Sequence, residues 1–254
     1  MGRIIAVANQ KGGVGKTTTV VNLASYLGSR DFKVLCVDID PQGNTTTGFG
    51  IKKKNVDKSS YDVFIGKVKI QDAVIHTDYK NVSIVPANAN LAGCEVELIN
   101  IENRTNRLKL QLLTCKLDYD FILIDCPPAL GLITMNAMCW ADKVIIPMQC
   151  EYFAMEGLNL LMRTISSVRK SLNPNLEILG ILFTMYTKRA KLNSEVVEDI
   201  SNFFPELVFK TIIPRSIRLA EAPSYGMPIN IYDASNAGAK AYNNLAKEVI
   251  DRVS

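Results

Sequence analysis

Gln10-Lys11-Gly12-Gly13-Val14-Gly15-Lys16-Thr17-Thr18 lies between an apolar run, Ile4-Ile5-Ala6-Val7-Ala8, and a helical pattern of Val20, Val21, Leu23, Ala24 and Leu27. A strand, a glycine-rich turn and a helix in that order make an anion site. The glycines let backbone N–H groups turn inward, the helix brings the positive end of its dipole to the same place, and Lys16 adds a point charge. The Thr17 hydroxyl stands where a magnesium ion would accompany a triphosphate. Lys11, Gly12, Gly13, Val14, Gly15, Lys16, Thr17 and Thr18 are therefore the expected nucleotide contacts.

The usual spacing of such a loop would put its first glycine at position 10, where this chain has Gln10. A second lysine, Lys11, precedes two consecutive glycines instead. The run KGGVGKTT resembles the deviant Walker A motif of the ParA/MinD/nitrogenase-iron-protein class. In that class the extra lysine reaches across a dimer interface to the partner's nucleotide, and the resemblance implies that part for Lys11.

Two carboxylate sites follow. Lys33 to Ile39 reads as a buried strand; Asp38 and Asp40 alternate, hence share a face, and Pro41 stops the ladder. An aspartate at a strand end beside phosphate can orient an attacking water or hold a magnesium shell. The segment DIDPQGN resembles the Walker A′ segment of ParA proteins. That likeness implies that Asp40 supports hydrolysis, with Lys11 and Lys16 as the other catalytic groups, and that Asp38 lies nearer the signature lysine. Phe121-Ile122-Leu123-Ile124 closes on Asp125 before Cys126-Pro127-Pro128 and looks like Walker B. Such a carboxylate costs several kcal/mol to bury without a cationic partner, and Mg²⁺ held through water is the natural one. The expected metal set is Thr17, Asp40 and Asp125. Cys126 directly follows the aspartate and no glycine-rich cysteine loop precedes it, which argues against the iron–sulfur branch of the class.

Elsewhere helices and strands alternate. The stretch from Thr45 to Lys80 reads as irregular, with Lys52-Lys53-Lys54 as a solvated face. A strand at Val82 to Val85, a helical pattern from Asn90 to Lys116 broken near Asn103-Arg104, and a helix from Leu132 to Trp140 come next. Strands at Lys143 to Pro147, Ile178 to Met185 and Val208 to Ile213 enclose helices at Met155 to Leu172 and Asn193 to Phe204. The expected fold is α/β: a single-domain P-loop NTPase spanning residues 1–254, with a doubly wound, mainly parallel sheet flanked by helices.

Of 254 residues, 48% are hydrophobic and 21% charged, which is a globular balance. The formal charge of +4 is compatible with nucleic acid without requiring it. Six cysteines lack any C-x-x-C pair and His76 is the only histidine, so a zinc site is not expected. The opening residues are too brief for a signal peptide and no stretch is long and apolar enough to cross a bilayer, so a cytoplasmic protein is expected.

The resemblance to ParA/Soj partition ATPases extends from Arg3 to Val253. It implies an ATPase using ATP and Mg²⁺, dimerising with ATP, binding DNA non-specifically over the nucleoid, and stimulated by a ParB-type partner. It makes Pro214 and Ser216 base-side candidates. Lys188, Arg189, Lys191, Arg215 and Arg218 are the candidates for a DNA surface, and the resemblance implies non-specific DNA contacts for Arg189 and Arg218 among them; solvated basic loops are the alternative. The segment from Gln149 to Gly157 resembles one lining the nucleotide and dimer face, although Glu151 and Glu156 could equally be helix N-terminal charges. Sequence-specific operator binding through a helix-turn-helix ahead of the loop is not expected. The C-terminal pattern Ala241, Tyr242, Leu245, Val249, Ile250, Val253 mixes charges and lacks Trp or Phe, so it is expected to dock on the core instead of a membrane. Rival readings are a MinD-like membrane-cycling or cargo-positioning ATPase and a metabolic ATP-dependent synthetase.

Overall fold

The computed structural model describes residues 2–253. Its apolar runs become seven strands: β1 Arg3–Val7, β2 Val34–Asp38, β3 Ile75–His76, β4 Val82–Val85, β5 Phe121–Asp125, β6 Lys143–Gln149 and β7 Glu177–Thr184. They form one sheet in the order β3-β4-β2-β5-β1-β6-β7. Every neighbouring pair is parallel except β3 with β4. Parallel strands need crossovers that cover both faces, so their residues are apolar on both sides. All residues of β2, β4 and β5 are buried accordingly.

The helices are α1 Lys16–Ser29, α2 Asn44–Gly48, α3 Ser60–Ile65, α4 Ile70–Ala73, α5 Leu91–Leu98, α6 Arg107–Cys115, α7 Leu132–Met138, α8 Ala154–Ser171, α9 Lys191–Phe203, α10 Ile217–Glu221, α11 Ile229–Tyr232 and α12 Ala237–Val253. On one face Val20, Leu23 and Leu27 of α1 pack with Tyr242, Leu245 and Val249 of α12. On the other, Phe64, Leu91, Leu108, Leu112, Met138, Leu161 and Ile165 form the second core. Each fully buried large aliphatic side chain contributes about 1.5–3 kcal/mol. The apolar side of α12 is thus used internally, as expected, and the Tyr242 hydroxyl lies 3.3 Å from Thr19 Oγ1.

β5 occupies the middle, with β1 and β2 on either side of it. From β1 the chain goes to β2, out to the edge strand β3 and back into β4, then inserts β5 between β2 and β1 and crosses to β6 and β7. Ligands in such sheets bind beyond the carboxyl ends of the strands, where the winding reverses. Here that place is Val7, Asp38 and Asp125, which the register sets side by side.

Three expectations are corrected. The stretch from Thr45 to Lys80 is not irregular: it carries α2, α3, α4 and β3. α3 opens on a capping box in which Ser59 Oγ and Ser59 N both donate to the Asp62 carboxylate, 2.8 and 3.0 Å, and it ends at Gly66 in the left-handed region. Asp40 does not continue the face of Asp38. The strand stops at Asp38, and its carboxylate accepts from Asp40 N at 3.2 Å, folding the chain into a turn. Val208 to Ile213 is not a strand. The segment bridges β7 at Val208, meets it again where Ile213 N donates to Phe183 O at 2.9 Å, and pairs beyond it at Pro214. Between them Lys210 N and Thr211 N donate to the Glu248 carboxylate of α12, at 2.8 and 3.0 Å, and are lost to the ladder.

Candidate nucleotide site

The loop after β1 has Gly13 at φ +73° and Gly15 at φ +88°, the left-handed region that glycine reaches without strain. A Cβ at Gly13 would meet nothing within 4 Å, so the nest opens on free space. Its underside is fastened: Thr184 Oγ1 donates to Val14 O at 2.8 Å and Gln149 Nε2 to Gly13 O at 2.9 Å. Lys16, 6% exposed, donates to Lys11 O at 3.1 Å and so arches over the loop. Burial lowers its pKa, opposed by the charges of Asp125 and Asp40. A phosphate held in the nest would return to this ammonium the partner that water no longer supplies.

Beneath the loop lies an acidic centre. Thr17 Oγ1 and Thr45 Oγ1 each donate to Asp125 Oδ2 at 2.7 Å. Thr46 N and Oγ1 donate to Asp38 Oδ2 at 2.8 and 2.7 Å. Burial first, then the neighbouring carboxylate charge, raises the pKa of Asp38; burial likewise raises that of Asp125 against the opposing hydroxyls. Asp125 Oδ1 is buried without a partner. An unpaired buried acceptor costs about 1–3 kcal/mol, more when charged, and the oxygen-only set of Thr17, Asp125 and nearby Asp40 suits a hard divalent cation that keeps waters and phosphate oxygens of its own. The residues therefore fit Mg²⁺. Asp40, 7% exposed, sits at the turn, its Oδ1 accepting from Gln42 N at 2.9 Å.

A cavity of about 260 Å³ adjoins the nest, lined by Gly15, Thr18, Met185, Pro214, Ser216 and Tyr242, among others. Both base-side candidates thus reach it. The Ser216 hydroxyl is engaged, bonded to Asn236 Oδ1 at 3.0 Å and capping α10.

Lys11 stands apart from the loop it belongs to. It forms an ion pair with Glu151 in which the side chains are 54% and 48% exposed. Tyr152 and Phe153 follow, 78% and 71% exposed and packed edge to face. Lys188 and Arg189 are exposed on the turn after β7, joined to the Arg215 segment by Arg215 N donating to Tyr186 O at 3.0 Å. Arg218 is nearby in sequence but engaged: it pairs with Glu221 at 3.0 Å and Asp233 at 3.7 Å and lies over the Tyr232 ring. Thr45, Thr46 and Thr184 were not singled out from sequence, and Gln149 only as the first residue of the segment running to Gly157. The consecutive threonines directly after DIDPQGN were the available signal for the first two.

A glycine nest at the end of a central parallel strand, a buried lysine above it and a hydroxyl–carboxylate pair below define the class of phosphate-loop nucleotide-binding proteins. A family described as an AAA domain matches residues 2–178. The sporulation initiation inhibitor protein Soj of Bacillus subtilis is 49% identical over 98% of both chains. The chromosome partitioning protein ParA of Myxococcus xanthus is 47% identical over 99% of this chain and 89% of its own. Among solved structures, one named cobyrinic acid a,c-diamide synthase from Mycobacterium smegmatis, with bound ATP analog and magnesium, superposes with a TM-score of 0.90 at 36% identity, covering 100% and 96% of the two chains. The chain belongs to the Soj/ParA family of chromosome-partitioning proteins.

Proposed function

We propose that this protein is an ATPase of DNA partition working as an ATP-dependent dimerising switch in the cytoplasm, over the nucleoid. The observation that carries the reading is the division of labour within one loop. Lys16 is buried over the nest while Lys11 stands half-exposed at its rim, paired with Glu151, and that contrast supports a role for Lys11 towards a second subunit.

Lys16 and the backbone from Gly12 to Thr18 hold the triphosphate, and Pro214 and Ser216 flank the base. Thr17 and Asp125, with Asp40 close by, would hold Mg²⁺, which when bound would neutralise charge at the phosphates. Asp40 orients the attacking water. Lys11 leaves Glu151 and crosses to the other subunit's nucleotide, adding positive charge where negative charge develops. Dimerisation joins two weak basic surfaces, each built from Lys188, Arg189 and Arg218. With about three phosphate contacts per subunit, the salt slope moves from about −2.7 to about −5.4 in log–log units. Hydrolysis, stimulated by a ParB-type partner, dissolves the dimer and releases DNA.

The test is binding to a random-sequence duplex against salt without nucleotide, with ADP, with ATP, and with ATP for Asp40→Ala. Tight, sequence-indifferent binding only with ATP, retained in Asp40→Ala, is expected. Absence of binding in every state sinks the DNA switch. The name of the Mycobacterium smegmatis structure favours a second reading, an amide-forming synthetase. ATP turnover that required an amide donor and ignored DNA would select it.

A further inference from the structure

Thr45 was absent from every role above, yet its hydroxyl is fully buried against the carboxylate assigned to the metal. A threonine hydroxyl carries one proton and two lone pairs. Thr17 and Thr45 both give their proton to the same oxygen, Asp125 Oδ2, and none reaches Oδ1. Two donors on one oxygen and none on the other fix the rotation of the carboxylate about its Cβ–Cγ bond. We infer that Thr45 is a positioning residue for the metal site: its hydroxyl holds Asp125 so that Oδ1 stays available to the Mg²⁺ shell, and it ties the Asp40 turn to that carboxylate. This rests on the reading of Asp125 as the metal carboxylate.

A purely structural role, fastening α2 to the sheet, is already filled by the next residue. Thr46 donates twice to Asp38, and its hydroxyl accepts from Ala87 N at 2.9 Å. Those bonds lead to β2 and to the chain after β4. The Thr45 hydroxyl leads instead to β5. The turn it serves is itself closed: Gly43 N donates to Asp40 O at 2.8 Å, and Asn44 then begins α2, so Thr45 is its second residue. Asp40 lies in the turn after β2 and Asp125 ends β5, and Thr45 gives them a common support. Outer-shell partners of this kind change metal affinity by roughly 10- to 100-fold when removed.

The experiment is binding of N-methylanthraniloyl-ADP in excess Mg²⁺ and in EDTA for the wild type, Thr45→Val and Thr45→Ser. Valine keeps the shape and deletes the proton; serine keeps the proton. The wild type should bind more tightly with Mg²⁺. Thr45→Val should lose about 10-fold of that enhancement with its EDTA affinity unchanged, and Thr45→Ser should restore most of it. The inference is overturned if Thr45→Val keeps the full enhancement or loses affinity equally in both conditions. A wild type without any Mg²⁺ enhancement overturns the metal reading and this inference together. Thr45→Ala repeats the comparison if the valine variant fails to fold, and failure of both to fold makes Thr45 a support of the fold alone.

Discussion

The strand-end acidic centre and the rim of the same site are built in opposite ways. In the centre, Asp38, Asp125, Thr45 and Thr46 are buried and joined by bonds of 2.7–2.8 Å. At the rim, Lys11 and Glu151 are about half exposed, and Tyr152 and Phe153 more so. Buried polar groups lose several kcal/mol when a partner goes, whereas an exposed ion pair contributes about 0–1 kcal/mol. Substitutions in the centre should therefore be felt by the protein alone, and those at the rim only when a second subunit is present.

The largest effect should come from Lys16→Ala. Loss of a charge-assisted contact to phosphate, about 3 kcal/mol, should weaken ADP binding roughly 100-fold by calorimetry, and unchanged affinity would mean that the nest does not hold the phosphates. Lys11→Ala should leave monomer stability and ADP affinity near the wild-type values yet abolish the ATP-dependent dimer in sedimentation; a normal dimer would erase the distinction between rim and centre. Thr46→Val should lower the unfolding free energy in urea by about 2 kcal/mol, since it removes one of the three donors to the buried Asp38 carboxylate and leaves Ala87 N without its acceptor. Glu151→Gln should be the smallest. Stability should stay within about 0.5 kcal/mol, while the freed Lys11 lets the ATP dimer form at a few-fold lower concentration, a gain that salt removes. A Glu151→Gln protein that dimerised less readily would show that the pair supports the interface.

The centre was partly legible from sequence because its chemistry is local. Glycines, Lys16 and Thr17 are consecutive, and Asp125 closes an apolar run, so the residue types at those spacings carry their own explanation. Thr45 and Thr46 were not legible, because threonines at the start of a helix look like ordinary caps. Glu151 stayed ambiguous because its partner, Lys11, lies 140 residues away. The mainly parallel, doubly wound sheet followed from the alternation of elements, and the short helices between Thr45 and Lys80 did not, being too brief for a helical period. Val208-Phe209-Lys210-Thr211-Ile212-Ile213 has the composition of a strand; a distant carboxylate on α12 overrode it.

That carboxylate has a wider effect. The border of a sheet is a template on which a foreign strand can settle, and proteins in multi-copy assemblies must keep it shut. Beyond β7, Glu248 occupies the free N–H groups of Lys210 and Thr211, while Arg252 donates to Leu179 O and Val208 O at 2.9 and 2.7 Å. One acid and one base, a helical turn apart, close that border to growth. Copies of this chain brought close together would then find no open backbone along that border on which to extend the sheet.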